Sequence, residues 1–183
     1  EIGSWGATDF TGAYKEVDLY ATYSLKGFSA TIYDYYWDLA WQGKNYFDYD
    51  EDKTSHIIEA TLAYKCTKIP FSVSVNTFVY GADKKYDKKT SAFTTDNNYS
   101  TYIELGYSFK VNNSDIDAFI GATPADGFYG DGYGSVDGFA VVNVGATGYK
   151  TVKFSEHLET KLKTSLIFNP QQEKSYLVLG LSF

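Results

Sequence analysis

Residues 174–183 read K-S-Y-L-V-L-G-L-S-F, and the alternation in this stretch decides the fold. Leu177, Leu179, Leu181 and Phe183 take every second position, with Tyr176, Val178, Gly180 and Ser182 between them. A strand has a side-chain period of two, so one face is wholly apolar and the other is smaller or hydroxylated. An apolar strand at the open edge of a water-soluble sheet is a template for pairing with another chain. A closed barrel removes that hazard by pairing the last strand with the first.

Working back from this segment, the same period recurs and no window shows a 3.6-residue apolar period with helix caps. Ten strands are predicted, at 2–9, 15–25, 27–37, 54–65, 70–80, 99–110, 115–123, 138–150, 157–168 and 174–183. Their connections alternate in length. Those at residue 26, 66–69, 111–114 and 151–156 are short, those at 38–53, 81–98 and 124–137 are long, and 169–173 is intermediate. Short turns at one end and long loops at the other are the signature of a barrel strung through a membrane.

The apolar face of these strands carries Val17, Leu19, Ala21, Ile58, Leu62, Val73, Val75, Ile103, Leu105, Ile120, Val142, Val144, Leu162, Leu166 and Leu179. Near the short-turn end the same face carries Tyr23, Phe28, Tyr64, Phe71, Phe109 and Phe183. Aromatic girdles of this kind flank the lipid-facing band of membrane barrels. An ordinary barrel with this face as its core has the same period. Strand 157–168 sets the register, because Glu159, Lys161, Lys163 and Ser165 share the opposite face. A Lys facing lipid near the midplane costs ~2–4 kcal/mol, so a slip of one residue is excluded. Asp34 is the misfit. It shares parity with Phe28, Ala30 and Ile32, which predicts either a bulge near Tyr33 or a strand that has left the apolar layer there.

Composition agrees with a single exported domain. Of the 183 residues 44% are apolar and 19% aromatic, with 18 Tyr and 13 Phe, yet no run reaches the ~18 apolar residues of a membrane helix. A net charge of −7 argues against nucleic acid as a partner. One cysteine, Cys66, precludes an intrachain disulfide, and its position between Lys65 and Lys68 reads as a turn thiol without a role. The chain has no Met and begins at Glu1, which predicts a cleaved signal peptide. The opening E-I-G-S-W-G-A-T-D reads as mid-strand, so further residues are expected before it, and the barrel has twelve strands if these form a hairpin.

The terminal stretch resembles the insertion signal of bacterial outer-membrane barrels, in which a final Phe follows alternating apolar residues. The blocks E-V-D-L-Y-A-T-Y (16–23), G-F-S-A-T-I-Y-D-Y-Y-W (27–37), Y-S-T-Y-I-E-L-G-Y-S-F (99–109), G-F-A-V-V-N-V-G (138–145) and Y-L-V-L-G-L-S-F (176–183) resemble an outer-membrane barrel family of Bacteroides-type bacteria. They are similar to the TorF-like porins. The resemblance implies a transmembrane antiparallel up-and-down β-barrel of modest size and a porin function. It also implies outer-membrane lipid as the surroundings and the barrel-assembly machinery as a partner of 174–183. It carries over no functional residues.

Chemistry is expected in the lumen. Asp18, Glu59 and Glu104 each stand five residues before an outward girdle aromatic, which predicts three carboxylates at similar depth. With Glu159, Lys161 and Lys163 from across the barrel they form a candidate constriction for small polar solutes. The same residues also suit a salt-bridged filling. The barrel would then be closed, serving as a structural or accessory subunit bound to other envelope proteins.

An enzyme is not expected. His56 has outward parity and His157 falls at a turn, and neither has an evident nucleophile or acid beside it, apart from Ser55 and the acidic run before it. No cofactor is implied. The stretch D-G-F-Y-G-D-G (126–132) lacks EF-hand spacing, so no metal is expected. The loops, acidic at Asp48, Asp50, Glu51 and Asp52 and basic at Lys84, Lys85, Lys88 and Lys89, read as solvated segments or as contacts for carbohydrate or protein.

Overall fold

The computed structural model describes residues 1–37, 45–112, 114–130, 133, 138–153 and 159–182. Its strands are β1 (Ile2–Thr8), β2 (Lys15–Leu25), β3 (Phe28–Trp37), β4 (His56–Lys65), β5 (Phe71–Gly81), β6 (Lys84–Asp87), β7 (Ala92–Asn97), β8 (Thr101–Val111), β9 (Ser114–Thr123), β10 (Ala140–Lys153), β11 (Glu159–Asn169) and β12 (Lys174–Ser182). Ten of them form one antiparallel sheet in the order β1-β2-β3-β4-β5-β8-β9-β10-β11-β12, and β6 pairs with β7 in a hairpin of its own. Strand neighbours in the sheet are neighbours in the chain, the hairpin apart. All ten strands expected from the alternation are present, and the ends differ by a few residues.

The sheet differs from the expected barrel in one respect. It is open, because β1 and β12 are its edges and do not pair with each other. Tyr176 and Val178, on the inner face of β12, consequently stay exposed with no wall against them. The sheet nevertheless curls strongly. One cavity is lined by Lys65 of β4, Ser72 of β5, Glu104 of β8, Asp117 of β9, Tyr149 of β10 and Lys163 of β11.

The two faces are inverted relative to a water-soluble sandwich. Neighbours on β11 make the point, since Leu166 is 62% exposed and Ser165 3%. Leu62, Leu177, Leu179 and Leu181 are exposed as well, while Asp18, Glu59, Thr31 and Thr147 are buried. The apolar face of the sheet is its outside.

The aromatic band lies on that outer face at the short-turn end. Tyr23, Phe28 and Phe109 are exposed, Tyr64 and Phe71 are half-buried, and the Phe28 and Tyr64 rings lie 4.4 Å apart. Tyr107, opposite Phe71 in the register, is an exposed further member of the band. Phe183 lies outside the described residues, as does His157. At this end Gly27 (φ +88°) turns β2 into β3, and its carbonyl accepts the Lys65 N–H at 2.8 Å. A Cβ there would meet the Lys65 carbonyl oxygen at 2.5 Å, so a larger residue would force that bond apart.

Two expectations need correction and a third is narrowed. Val142 is buried, because a bulge between Val141 and Asn143 breaks the parity of β10. Residues 81–98, read as loop, contain the β6–β7 hairpin, whose short polar strands offer no alternation to see. Of the two alternatives for Asp34 the bulge is ruled out, since the β2–β3 and β3–β4 registers run through it unbroken. The residue is covered. Residues 45–53 fold over the outer wall, where Tyr49 Oη donates to Asp34 at 2.7 Å and His56 Nδ1 lies 2.6 Å from it.

Candidate functional site in the lumen

The inner face divides into three levels. At the short-turn end is a polar cavity of about 350 Å³, which brings Glu104 and Lys163 together with Asp117 and Lys65. Lys163 belongs there because β11 presents Lys161, Lys163 and Ser165 inward while Leu162 and Leu166 face out, as the alternation requires. At its mouth is a second recess of about 510 Å³ lined by Lys161, Asp115, Asp117 and Tyr149, with the Lys161 ammonium 4.6 Å from the centre of the Tyr149 ring. Gly106 leaves room for this space, since a Cβ on it would press on the Ser72 hydroxyl.

The middle level is a hydrogen-bond network. Tyr102 Oη donates to Glu104 at 2.7 Å and is approached by Asn143 Nδ2 at 3.4 Å. Asn76 Nδ2 donates to the Tyr102 carbonyl at 3.2 Å, and Thr147 pairs with Ser165 at 2.9 Å. These polar side chains pair with one another and with the backbone, so the sheet face satisfies its polar atoms internally.

The third level, at the long-connection end, is an aromatic plug. Tyr33, Tyr35 and Trp37 stack in sequence along β3 at 5.4 Å and 5.4 Å. Phe128 and Tyr129, from the connection after β9, enter beneath them and pack on Phe78 at 5.4 and 4.9 Å. Glu59 is held inside this plug. Its carboxylate accepts from Tyr35 Oη at 3.2 Å, from Thr61 Oγ1 at 3.0 Å and from Tyr129 Oη. The plug has a second anchor, where Ser100 Oγ and Tyr133 Oη each donate to the buried Asp83 at 2.6 Å. Burial and the Asp83 carboxylate push the Tyr133 hydroxyl well above the usual phenol range.

The sequence-derived constellation is therefore split. Glu104 and Lys163 share a cavity and Lys161 sits at its mouth. Glu59 belongs to the plug, and Asp18 lies on β2 beside Glu16. Glu159 sits outside the cavity in an exposed pair with Lys153 at 3.4 Å, a geometry worth little. Equal spacing from the girdle sets depth along each strand and carries no information about which residues the sheet's curl brings face to face. Asp117 and Tyr102 have the inward parity that the alternation predicts, although they stand outside the candidate constriction. Tyr129 was not legible as a lumen residue, because it belongs to a connection without period.

The outer rim holds a constellation that sequence reasoning took for an isolated histidine. His56 is fully buried, with Asp34 on Nδ1, the Tyr46 carbonyl 2.6 Å from Nε2, and the Tyr49 ring stacked at 4.1 Å. A general base needs one ring nitrogen facing a substrate, and both are occupied here. The acidic and basic loops are pinned together rather than loose. Lys84 Nζ lies 3.4 Å from Glu51, which also accepts from Asn97 Nδ2 at 2.9 Å.

No family model, curated protein or solved structure matches this chain.

Proposed function

We propose that this chain forms the wall of a bacterial outer-membrane β-barrel and serves as a narrow, porin-like conduit for small polar solutes, shut at the long-connection end by the aromatic plug. The observation that carries the reading is the inversion of the sheet, with its leucines outside and a charged, roomy cavity inside. In water each exposed Leu forfeits roughly 1.5–3 kcal/mol of burial, a loss that hydrocarbon surroundings abolish. The exposed aromatic band at one end of that face fits the membrane–water interface. In this reading the long connections face outward, and β12 is the segment that the assembly machinery recognises.

A second reading is favoured by the plug itself. A lumen closed by Tyr129 on Glu59 also suits a sealed barrel acting as an accessory subunit for other envelope proteins. Conductance separates the two. The protein folded into planar bilayers should give discrete openings that become larger or more frequent when the plug is loosened. Ion-tight bilayers with both the wild type and a loosened plug would leave only the sealed barrel.

A further inference from the structure

The strand next to the sheet edge carries a buried carboxyl group that no ion pair among the described residues balances. Asp18 is 5% exposed, and its Oδ1 has no hydrogen-bond partner. Glu16, two residues earlier on the same inward face, is also buried. The two are separated by roughly 6.8 Å of strand, and among the described residues no ammonium or guanidinium makes an ion pair with either. Glu16 is partly served by Tyr14 Oη, which donates to it and accepts in turn from Trp37 Nε1 at 3.0 Å. The register sets Trp5 directly opposite Asp18 on one side and Tyr35 on the other, with Trp37 opposite Glu16.

We infer that this corner of the inner face, Asp18 and Glu16 walled by Trp5, Tyr35 and Trp37, binds a primary organic ammonium. A buried carboxylate oxygen without a donor is rare in native structures and asks for one. A cationic partner fits this corner, since two carboxyl groups lie two residues apart on one face. A hard metal cation wants six or more oxygen ligands, and the side-chain oxygens here are those of two carboxyl groups and the phenols of Tyr14 and Tyr35, the latter turned to Glu59. Aromatic faces beside carboxylates suit an ammonium instead, through cation–π attraction. The empty acceptor on Asp18 selects one that still carries N–H groups. Trp5 is 54% exposed and stands on the edge strand, so its ring is the part of the wall that moves to admit the ligand. Binding requires only the folded inner face, so it goes beyond the conduit reading and stands or falls separately from it.

The test is a titration of the full chain, folded in detergent micelles, with n-butylammonium chloride, read by tryptophan emission and by calorimetry. The expected result is a saturable response at millimolar ligand. Tetramethylammonium, which has no N–H to give, and potassium should respond at least about tenfold more weakly. Asp18→Asn should weaken butylammonium binding by about tenfold or more, the ratio expected for one lost charge-assisted hydrogen bond. No saturable response in the wild type, equal responses to the three cations, or a folded Asp18→Asn that titrates like the wild type would each overturn the assignment. Should Asp18→Asn not fold, Glu16→Gln and Trp5→Leu decide, and unchanged affinity in both overturns it as well. Because binding is read without a membrane, a negative result leaves conductance untouched, and a sealed barrel leaves binding untouched.

Discussion

Tyr129, on the connection after β9, donates its hydroxyl proton to Glu59 of β4, seventy residues away in the chain. The bond draws a loop residue onto the inner face of the sheet and fixes a buried carboxyl group there. Phe128 beside it packs on Trp37 at 5.5 Å, so the same short segment lies across that face and holds itself in place.

Removing that hydroxyl should therefore loosen the plug without emptying it. Tyr129→Phe leaves Tyr35 and Thr61 on Glu59. The expected cost is about 1–3 kcal/mol, read as a lower unfolding temperature, because a buried charge loses one of three donors. Bilayer recordings should show larger or more frequent openings. An unchanged unfolding temperature would show that the bond carries no weight.

The face assignment is testable on β11. Single cysteines at Leu162 and Leu166, carrying nitroxides, should report contact with a lipid-phase quencher, and one at Lys163 contact with a water-soluble one. Leu166→Lys should destabilise the reconstituted protein by ~2–4 kcal/mol if the position is near the midplane. The reverse labelling pattern would make the apolar face a core and end the membrane reading.

The contrast between what was and was not legible in the sequence follows from period. Leu162, Lys163, Ser165 and Leu166 could be placed on their faces because a sheet with two unlike faces penalises every one-residue slip. Asp34 could be identified as anomalous for the same reason. Its partners Tyr49 and His56 could not, since Tyr49 reaches it from a connection whose path no alternation describes. Glu59 and Glu104 looked equivalent because both stand the same distance from a girdle aromatic. The curl of the sheet and the incoming Tyr129 make them different, and neither is written into a strand's period. Val142 failed at a bulge, where one extra residue cancels the parity rule.

Cys66 offers a native probe of orientation. It lies in the β4–β5 turn at the short-turn end, and the backbone N–H groups of Lys68 and Ile69 hold its thiol below the usual range. A lowered value means more thiolate at a given pH, so maleimide labelling should rise toward its plateau below the usual ~8.5. If this end faces the periplasm, a membrane-impermeant maleimide should label intact cells only after the outer membrane is permeabilised. Prompt labelling of intact cells would invert the proposed orientation.

The charges of the cavity provide the last prediction. Glu104 and Lys163 line the same space, but Glu104 is held by Tyr102 at 2.7 Å while Lys163 is on an exposed stretch of β11. In a narrow passage with low-dielectric walls fixed charges govern which ions enter, because the field is focused into the water they face. With Asp117 also on the wall, removal of the lysine leaves the acids facing Lys65, with Lys161 at the mouth. Lys163→Gln should accordingly shift reversal potentials toward cation selectivity, and Glu104→Gln toward anions. Both changes should affect stability little, since the cavity gives each vacated charge water in place of a partner. If the space were instead a dry, salt-bridged filling, removing one partner would cost on the order of 3–5 kcal/mol and leave selectivity alone. Reversal potential and unfolding temperature measured on the same two variants distinguish a lined passage from a packed interior, and a large stability loss with no selectivity change would overturn the conduit.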